Sequence, residues 1–169
     1  YHHDSQKMPY ISKDELPFMY RYYVERYSHF IIQKYEAPWY MKFINEKIGY
    51  GIYAAADIKK GDFVGDYVGI IYDSSIETNS EFSDCRYTWT LHHPLDPKGP
   101  HFFITAVKHC NFMRYINHSF DPNVAAIPVY MEGQWHQTYV ACKDIKKDEQ
   151  ILANYGAAYW KTRTCEELR

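Results

Sequence analysis

Apolar and polar positions follow two different rhythms along this chain, and the rhythm changes near residue 45. Leu16, Tyr20, Tyr23, Val24, Tyr27, Phe30 and Ile31 recur three or four positions apart. Residues so spaced share one face of an α-helix, which predicts an amphipathic helix whose apolar side packs on the rest of the protein rather than on a partner. Ser12 and Glu15 have the spacing of a capping box, so the helix is expected to start there, with Pro17 inside its first turn, where a missing N–H does little harm. Ala37-Pro38 is expected to end it, because the residue before a proline avoids helical torsions.

From about Ile44 to Tyr155 the pattern turns to short runs rich in β-branched and aromatic residues, at 63–72, 87–91, 101–106, 124–130 and 138–142. Each is predicted to be a strand. Glu132-Gly133 reads as a hairpin turn between the last two, while Pro94, Asp96, Pro97, Gly99 and Pro100 predict an exposed loop. The polar stretch from Asp73 to Asp84 carries weak structural signals and is expected to be an insertion. The expected organisation is a mainly β domain over 46–160, a flanking segment 1–45 with the helix, and a tail 161–169. Asp57-Ile58-Lys59-Lys60-Gly61-Asp62 is echoed by Asp144-Ile145-Lys146-Lys147-Asp148-Glu149. An echo this short predicts two similar β-turns and not a duplicated domain.

Composition narrows the function classes. A chain of 169 residues supports about one core, and 46% hydrophobic residues with 18 tyrosines mark a globular protein. No apolar run approaches the roughly 20 residues of a membrane-spanning helix. A net charge of −2 supplies no basic field for nucleic acid. Cys85, Cys110, Cys142 and Cys165 lie far apart without a C-x-x-C pair, which points to reduced intracellular thiols and no zinc cluster. The chain begins at Tyr1 rather than Met, as expected of a segment cut from a longer protein.

Three segments carry candidate chemistry. Gly49-Tyr50-Gly51 opens the β region, where glycine lets the backbone approach a ligand, although no third glycine and following helix complete a dinucleotide fingerprint. Arg114-Tyr115-Ile116-Asn117-His118-Ser119-Phe120-Asp121-Pro122-Asn123 sets polar side chains directly behind apolar ones, so they must find partners in a ligand or in a tightly bonded turn. Glu149-Gln150-Ile151-Leu152-Ala153-Asn154-Tyr155-Gly156 is a strand-like run ending in Tyr-Gly. Taken alone, each segment leaves both a structural and a functional reading open.

In this order the segments resemble the SET domain family of protein lysine methyltransferases. Gly49 to Ala54 resembles the first motif, and Asp57 to Val64 with Asp66-Tyr67-Val68-Gly69 its continuation. Arg114 to Asn123 is similar to R-F-I-N-H-S-x-x-P-N, and Asp148 to Gly156 to G-E-E-L-x-x-x-Y-G. The resemblance covers about residues 46 to 160. It implies a β-clip fold of several small curved sheets around a knot-like arrangement, with the Asn117 segment threaded through a loop formed by the last motif. For the cofactor, S-adenosylmethionine with S-adenosylhomocysteine as product, it implies contacts from Gly49, Tyr50, Gly51, Tyr87, Asn117 and His118, with Trp160 stacking over the adenine; no metal is expected. Tyr155 would be the catalytic tyrosine, with Tyr87 a second tyrosine of the lysine channel.

Departures from the family pattern carry expectations of their own. Asp66 and Ile70 stand where the family usually has Glu. Ala153 stands in the channel position where many members have Phe or Tyr, and its small side chain would admit di- or trimethyl-lysine. Zinc-binding cysteine flanks are absent after Gly156 apart from Cys165, so the tail from Tyr159 to Arg169, or a segment beyond the sequence, must close the site. The resemblance makes a histone tail the leading substrate, added as a strand beside the domain and drawn by Asp73, Glu77, Glu81 and Asp84 unless these are only a solvated loop. The expected location is the nucleus, on the organism's own chromatin or a host's. Two alternatives stand beside this: a catalytically weak module that binds a peptide or acts on a non-histone protein, and a cysteine hydrolase using Cys110 and His118.

Overall fold

The structure, a computed structural model, describes residues 11–73, 85–93 and 95–161. The helix α1 runs Phe18–Ile32, later than the capping-box spacing predicts. Glu15 does reach back to Ser12, accepting its backbone N–H at 3.0 Å, but the pair closes a separate 3-10 turn at Lys13–Glu15. Pro17 is then the N-cap, with extended backbone that a turn of α-helix cannot contain. The helix ends before Ala37-Pro38 because Lys34 takes a left-handed conformation (φ 52°). Lys34 N–H donates to the Ile31 carbonyl, Tyr35 N–H donates to that of Phe30, and the Phe30 and Tyr35 rings meet at 5.2 Å. That is a Schellman ending, with lysine where glycine is usual.

The strands are β1 (Trp39–Asn45), β2 (Gly49–Ala54), β3 (Phe63–Tyr67), β4 (Ile70–Asp73), β5 (Thr88–His93), β6 (Asp96–Thr105), β7 (Asn117–His118), β8 (Val124–Met131), β9 (Gln134–Ala141) and β10 (Leu152–Ala153); a short helix, α2, follows at Ala157–Lys161. Among the described residues they form three small sheets: β1-β2, β3-β9-β8-β10-β7 and β4-β6-β5. The β1-β2 hairpin starts at Trp39, within the stretch read from the sequence as flanking, so its pairing crosses residue 45. Glu132 and Gly133 both have positive φ and join Met131 to Gln134, the two-residue turn that matches sheet twist.

Two expectations are corrected. The run 63–72 is two strands, because the chain changes sheets at Gly69: β3 pairs with β9 and β4 with β6. Gly69 packs so closely on Thr105 that a Cβ would sit 2.5 Å from its carbonyl oxygen, so only glycine passes. The expected loop at 94–100 is largely the start of β6. Its register with β5 jumps from His101 to Asp96, which leaves Pro97 and Pro100 at positions that need no ladder N–H. Of the polar insertion only Asp73 is described, and it ends β4; Glu77, Glu81, Asp84 and Cys165 lie outside the described residues.

The five-stranded sheet is buried on both faces. Val124, Tyr130, Trp135, Tyr139 and Ala141 join the main core, while Val129 and Val140 turn the other way to meet Phe63, Tyr27 and Ile31. Phe30 stacks on Phe63 at 5.1 Å and Tyr20 meets Trp135 edge-on at 5.8 Å, so the predicted helix face does pack on the domain. Each fully buried large side chain contributes about 1.5–3 kcal/mol. At the other end of the sheet, β10 lies parallel to both β7 and β8, between two strands that are nearly consecutive in sequence. Ser119 N–H donates to the Ala153 carbonyl and Asn123 N–H to that of Leu152, so the Asn117 segment and the last motif interlock. The fold is therefore mainly β, small sheets around an interlocked centre, with a flanking helix.

The echoed turns also lock together. Ile58 and Ile145 exchange backbone hydrogen bonds at 2.9 and 2.8 Å. Asp144 accepts the Lys60 backbone N–H, and Asp57 accepts that of Lys147, each at 2.9 Å. Lys146 pairs with Asp57 at 2.9 Å and Lys59 with Asp144 at 3.5 Å. The two turns form a reciprocal clasp that holds the ends of β2 and β3 to the approach of β10.

Candidate active site

Tyr155 follows β10 and is fixed from two sides. Its backbone N–H donates to His118 Nδ1 at 3.1 Å, and its hydroxyl donates to the Ile116 carbonyl at 2.6 Å. A carbonyl can only accept, so this bond fixes the direction of the phenol proton toward Ile116. Tyr155 lines a cavity of about 380 Å³ whose wall also includes Tyr67, Tyr87, Trp89, Arg114, Tyr139 and Tyr159. Tyr67 is itself held by donating its hydroxyl to the Tyr87 carbonyl at 2.8 Å. Burial pushes the phenols of Tyr67 and Tyr139 well above the ordinary value of about 10, so both stay neutral.

Behind Tyr155 lies a second group. His118 on β7 spends Nδ1 on the Tyr155 amide, which assigns its proton to Nε2. That nitrogen is buried without a hydrogen-bond partner, as is Trp160 Nε1 on α2. Burial also lowers the His118 pKa, so the ring is neutral near pH 7. The His118 and Trp160 rings meet at 4.6 Å, and Phe120, 82% exposed, closes on His118 at 4.6 Å. Beside it, Asn117 Nδ2 donates to the Tyr50 carbonyl at 3.1 Å. A Cβ on Gly51 would lie 2.6 Å from Gln150 Nε2 and 3.0 Å from the Asn117 amide, so the glycine keeps this corner narrow. Gly49 has a positive φ of 78° at the hairpin turn, with nothing packed against it.

The structure thus brings Tyr87 and Tyr155 to one cavity and gathers Tyr50, Gly51, Asn117, His118 and Trp160 in a second group that meets Tyr155 through His118. It does not bring Ala153 to the cavity wall. Ala153 is 0% exposed, in register with His118 on one side and Val124 on the other, so its methyl group fills the core of the interlocked sheet. Asp66, which replaces the family's Glu, finds His136 Nδ1 at 2.9 Å on the neighbouring strand. Cys110 contacts Arg114 Nη1 at 3.4 Å while His118 bonds elsewhere, which leaves the hydrolase pairing without geometry.

Tyr67, Trp89 and Tyr139 are cavity residues that reading the sequence missed, while Tyr159, the start of the tail expected to close the site, lines it as well. Among 18 tyrosines and four tryptophans the first three do not stand out, and what brings Tyr67 to Tyr139 is the β3-β9 pairing, a contact between residues 72 positions apart.

Comparison with known proteins bears on this arrangement. Residues 49–156 match the SET domain family. The histone-lysine N-methyltransferase EZH2 of Chaetomium thermophilum is 34% identical over 120 residues, 66% of this chain and 8% of that protein. A humanized mutant of the Chaetomium thermophilum Polycomb Repressive Complex 2 bound to an inhibitor superposes with a TM-score of 0.62 at 31% identity, over 75% of this chain and 16% of that one. The same complex bound to S-adenosylmethionine in an autoinhibited conformation gives 0.57 at 28% identity, over 72% and 15%. The chain spans a small part of such relatives. A match over more than half of its length, on the same interlocked sheets, means that this chain belongs to the SET domain family.

Proposed function

We propose that this chain is the methyl-transferring domain of a protein lysine N-methyltransferase that uses S-adenosylmethionine and acts on histone tails in chromatin. The observation that carries the reading is Tyr155, whose hydroxyl is held by giving its proton to Ile116 at 2.6 Å and whose side chain lines a tyrosine-walled cavity. Such an oxygen accepts an N–H from a lysine amine and so aims the amine's own lone pair. Tyr67, Tyr87, Trp89 and Tyr139 fit the aliphatic stem of lysine and keep water away.

The group around His118 fits the cofactor. His118 Nε2–H and Trp160 Nε1–H are buried donors without partners, the Gly51 corner excludes side chains, and Phe120 and Trp160 offer aromatic faces. S-adenosylmethionine, when bound, supplies an electrophilic methyl group on a sulfonium. Gly49, Tyr50, Gly51, Asn117, His118 and Trp160 would hold it, with Tyr87 between cofactor and channel. No general base is needed where a proton can leave to water.

Mass spectrometry of recombinant core histones after incubation with this chain and S-adenosylmethionine tests the reading. It predicts lysine mass gains in methyl steps. Unmodified histones, with calorimetry showing the cofactor bound, would reduce the domain to a binding module.

A further inference from the structure

Arg114, like Arg86, brings a permanent positive charge to the wall of a cavity that is to receive a cation. Its guanidinium lies 4.0 Å over the Tyr87 ring and 5.4 Å from that of Tyr115. Nη1 donates to the Val107 carbonyl at 3.3 Å and contacts Cys110 Sγ at 3.4 Å, which fixes the group in place. Nε is buried without a partner. Among the described residues these partners are a carbonyl, a thiol and two rings, and none is a carboxylate. An arginine cannot shed its proton at any working pH, so nothing relieves this charge.

We infer that Arg114 is a positioning residue that disfavours the ammonium form of the substrate lysine inside the tyrosine cavity and so raises the fraction of neutral, reactive amine. The inference rests on the methyltransferase reading. A free lysine, with a pKa of about 10.4, is neutral in roughly four molecules per ten thousand near pH 7. A like charge within a few ångströms in a partly dry site lowers that pKa, and each unit gained makes about ten times more neutral amine. The proton leaves to water. The freed lone pair then forms the nitrogen–carbon bond as the methyl–sulfur bond breaks with its electron pair left on sulfur, so a methylammonium and a neutral thioether result. Stacking on Tyr87 also steadies the ring that the substrate passes, a packing effect that any flat group could supply. Charge and packing therefore need separating.

Two substitutions separate them: Arg114→Lys keeps the charge and loses the stack, and Arg114→Met keeps the bulk and loses the charge. The readout is kcat on recombinant core histones at saturating substrate from pH 6.5 to 9.5, because kcat reports the bound amine whereas kcat/KM reports the free one. For Arg114→Met the rising limb is expected to move up by about one pH unit, a loss of about tenfold at pH 7 that shrinks as pH rises, while in Arg114→Lys the limb keeps its wild-type position and only its height falls. Cofactor affinity by calorimetry stays unchanged in both. A loss in Arg114→Met that is the same at every pH, or an equal loss in both variants, would overturn the charge role. If the wild type binds cofactor and methylates nothing, the methyltransferase reading fails first and takes this inference with it.

Discussion

The reciprocal clasp of 57–62 with 144–149 and the surroundings of Tyr155 handle polar atoms in opposite ways. In the clasp, each aspartate accepts a backbone N–H from the other turn and meets a lysine, so donors and acceptors match within the protein. Around Tyr155, His118 Nε2, Trp160 Nε1 and Arg114 Nε are buried with no partner, as Thr105 Oγ1 and Trp135 Nε1 are elsewhere in the core. A leftover buried donor costs about 1–3 kcal/mol, and a ligand that supplies its acceptor recovers that cost. Both regions show as motifs in the sequence.

The contrast breaks most visibly at Gly51. In Gly51→Val the added carbons collide with Gln150, Ile44 and the Asn117 amide, so Asn117 must leave the Tyr50 carbonyl. Cofactor affinity measured by calorimetry is expected to fall at least about tenfold, with a stability loss of about 1–3 kcal/mol in urea unfolding. Unchanged affinity would separate this corner from the ligand.

The clasp should answer to acid and be indifferent to ligand. Backbone donors, Lys147 on Asp57 and Lys60 on Asp144, with the nearby lysines, hold both carboxyls below their ordinary pKa. A depressed carboxylate adds stability above the unfolded value of about 3.9 and loses it as pH falls through the folded value. The double variant Asp57→Asn with Asp144→Asn should melt a few degrees lower at pH 7, with the difference from wild type closing toward pH 3. Cofactor affinity at pH 7 should not move.

His118 gives the smallest effect and the opposite sense of test. Its folded pKa lies below the unfolded value of about 6.5, so its neutral form contributes fully above that pH and the contribution is lost as pH falls through the folded value. Protonation puts a hydrogen on Nδ1, against the Tyr155 amide. Cofactor affinity should be level from pH 8 to about 6.5 and decline a few-fold below it. His118→Gln should flatten the profile.

How far these features were legible depends on whether the cause was local. The Glu132-Gly133 turn, the apolar face of α1 and the echoed turns are set by neighbouring residues, and each has its structural counterpart. The split at Gly69, the strand through 96–100 and the burial of Ala153 arise from pairing with Thr105, His93 and His118, positions distant in sequence or hidden by prolines. The ordered motifs located Tyr155, Asn117 and His118, but the walls around them come from tyrosines that only sheet pairing selects.

The central claim, that the Tyr155 hydroxyl orients the amine and the β7 side holds the cofactor, is tested most directly by Tyr155→Phe. Methyl transfer to core histones and cofactor affinity are measured side by side. The account predicts transfer lower by about a hundredfold with affinity within about twofold of wild type. Transfer left intact, or both quantities falling together, would contradict it.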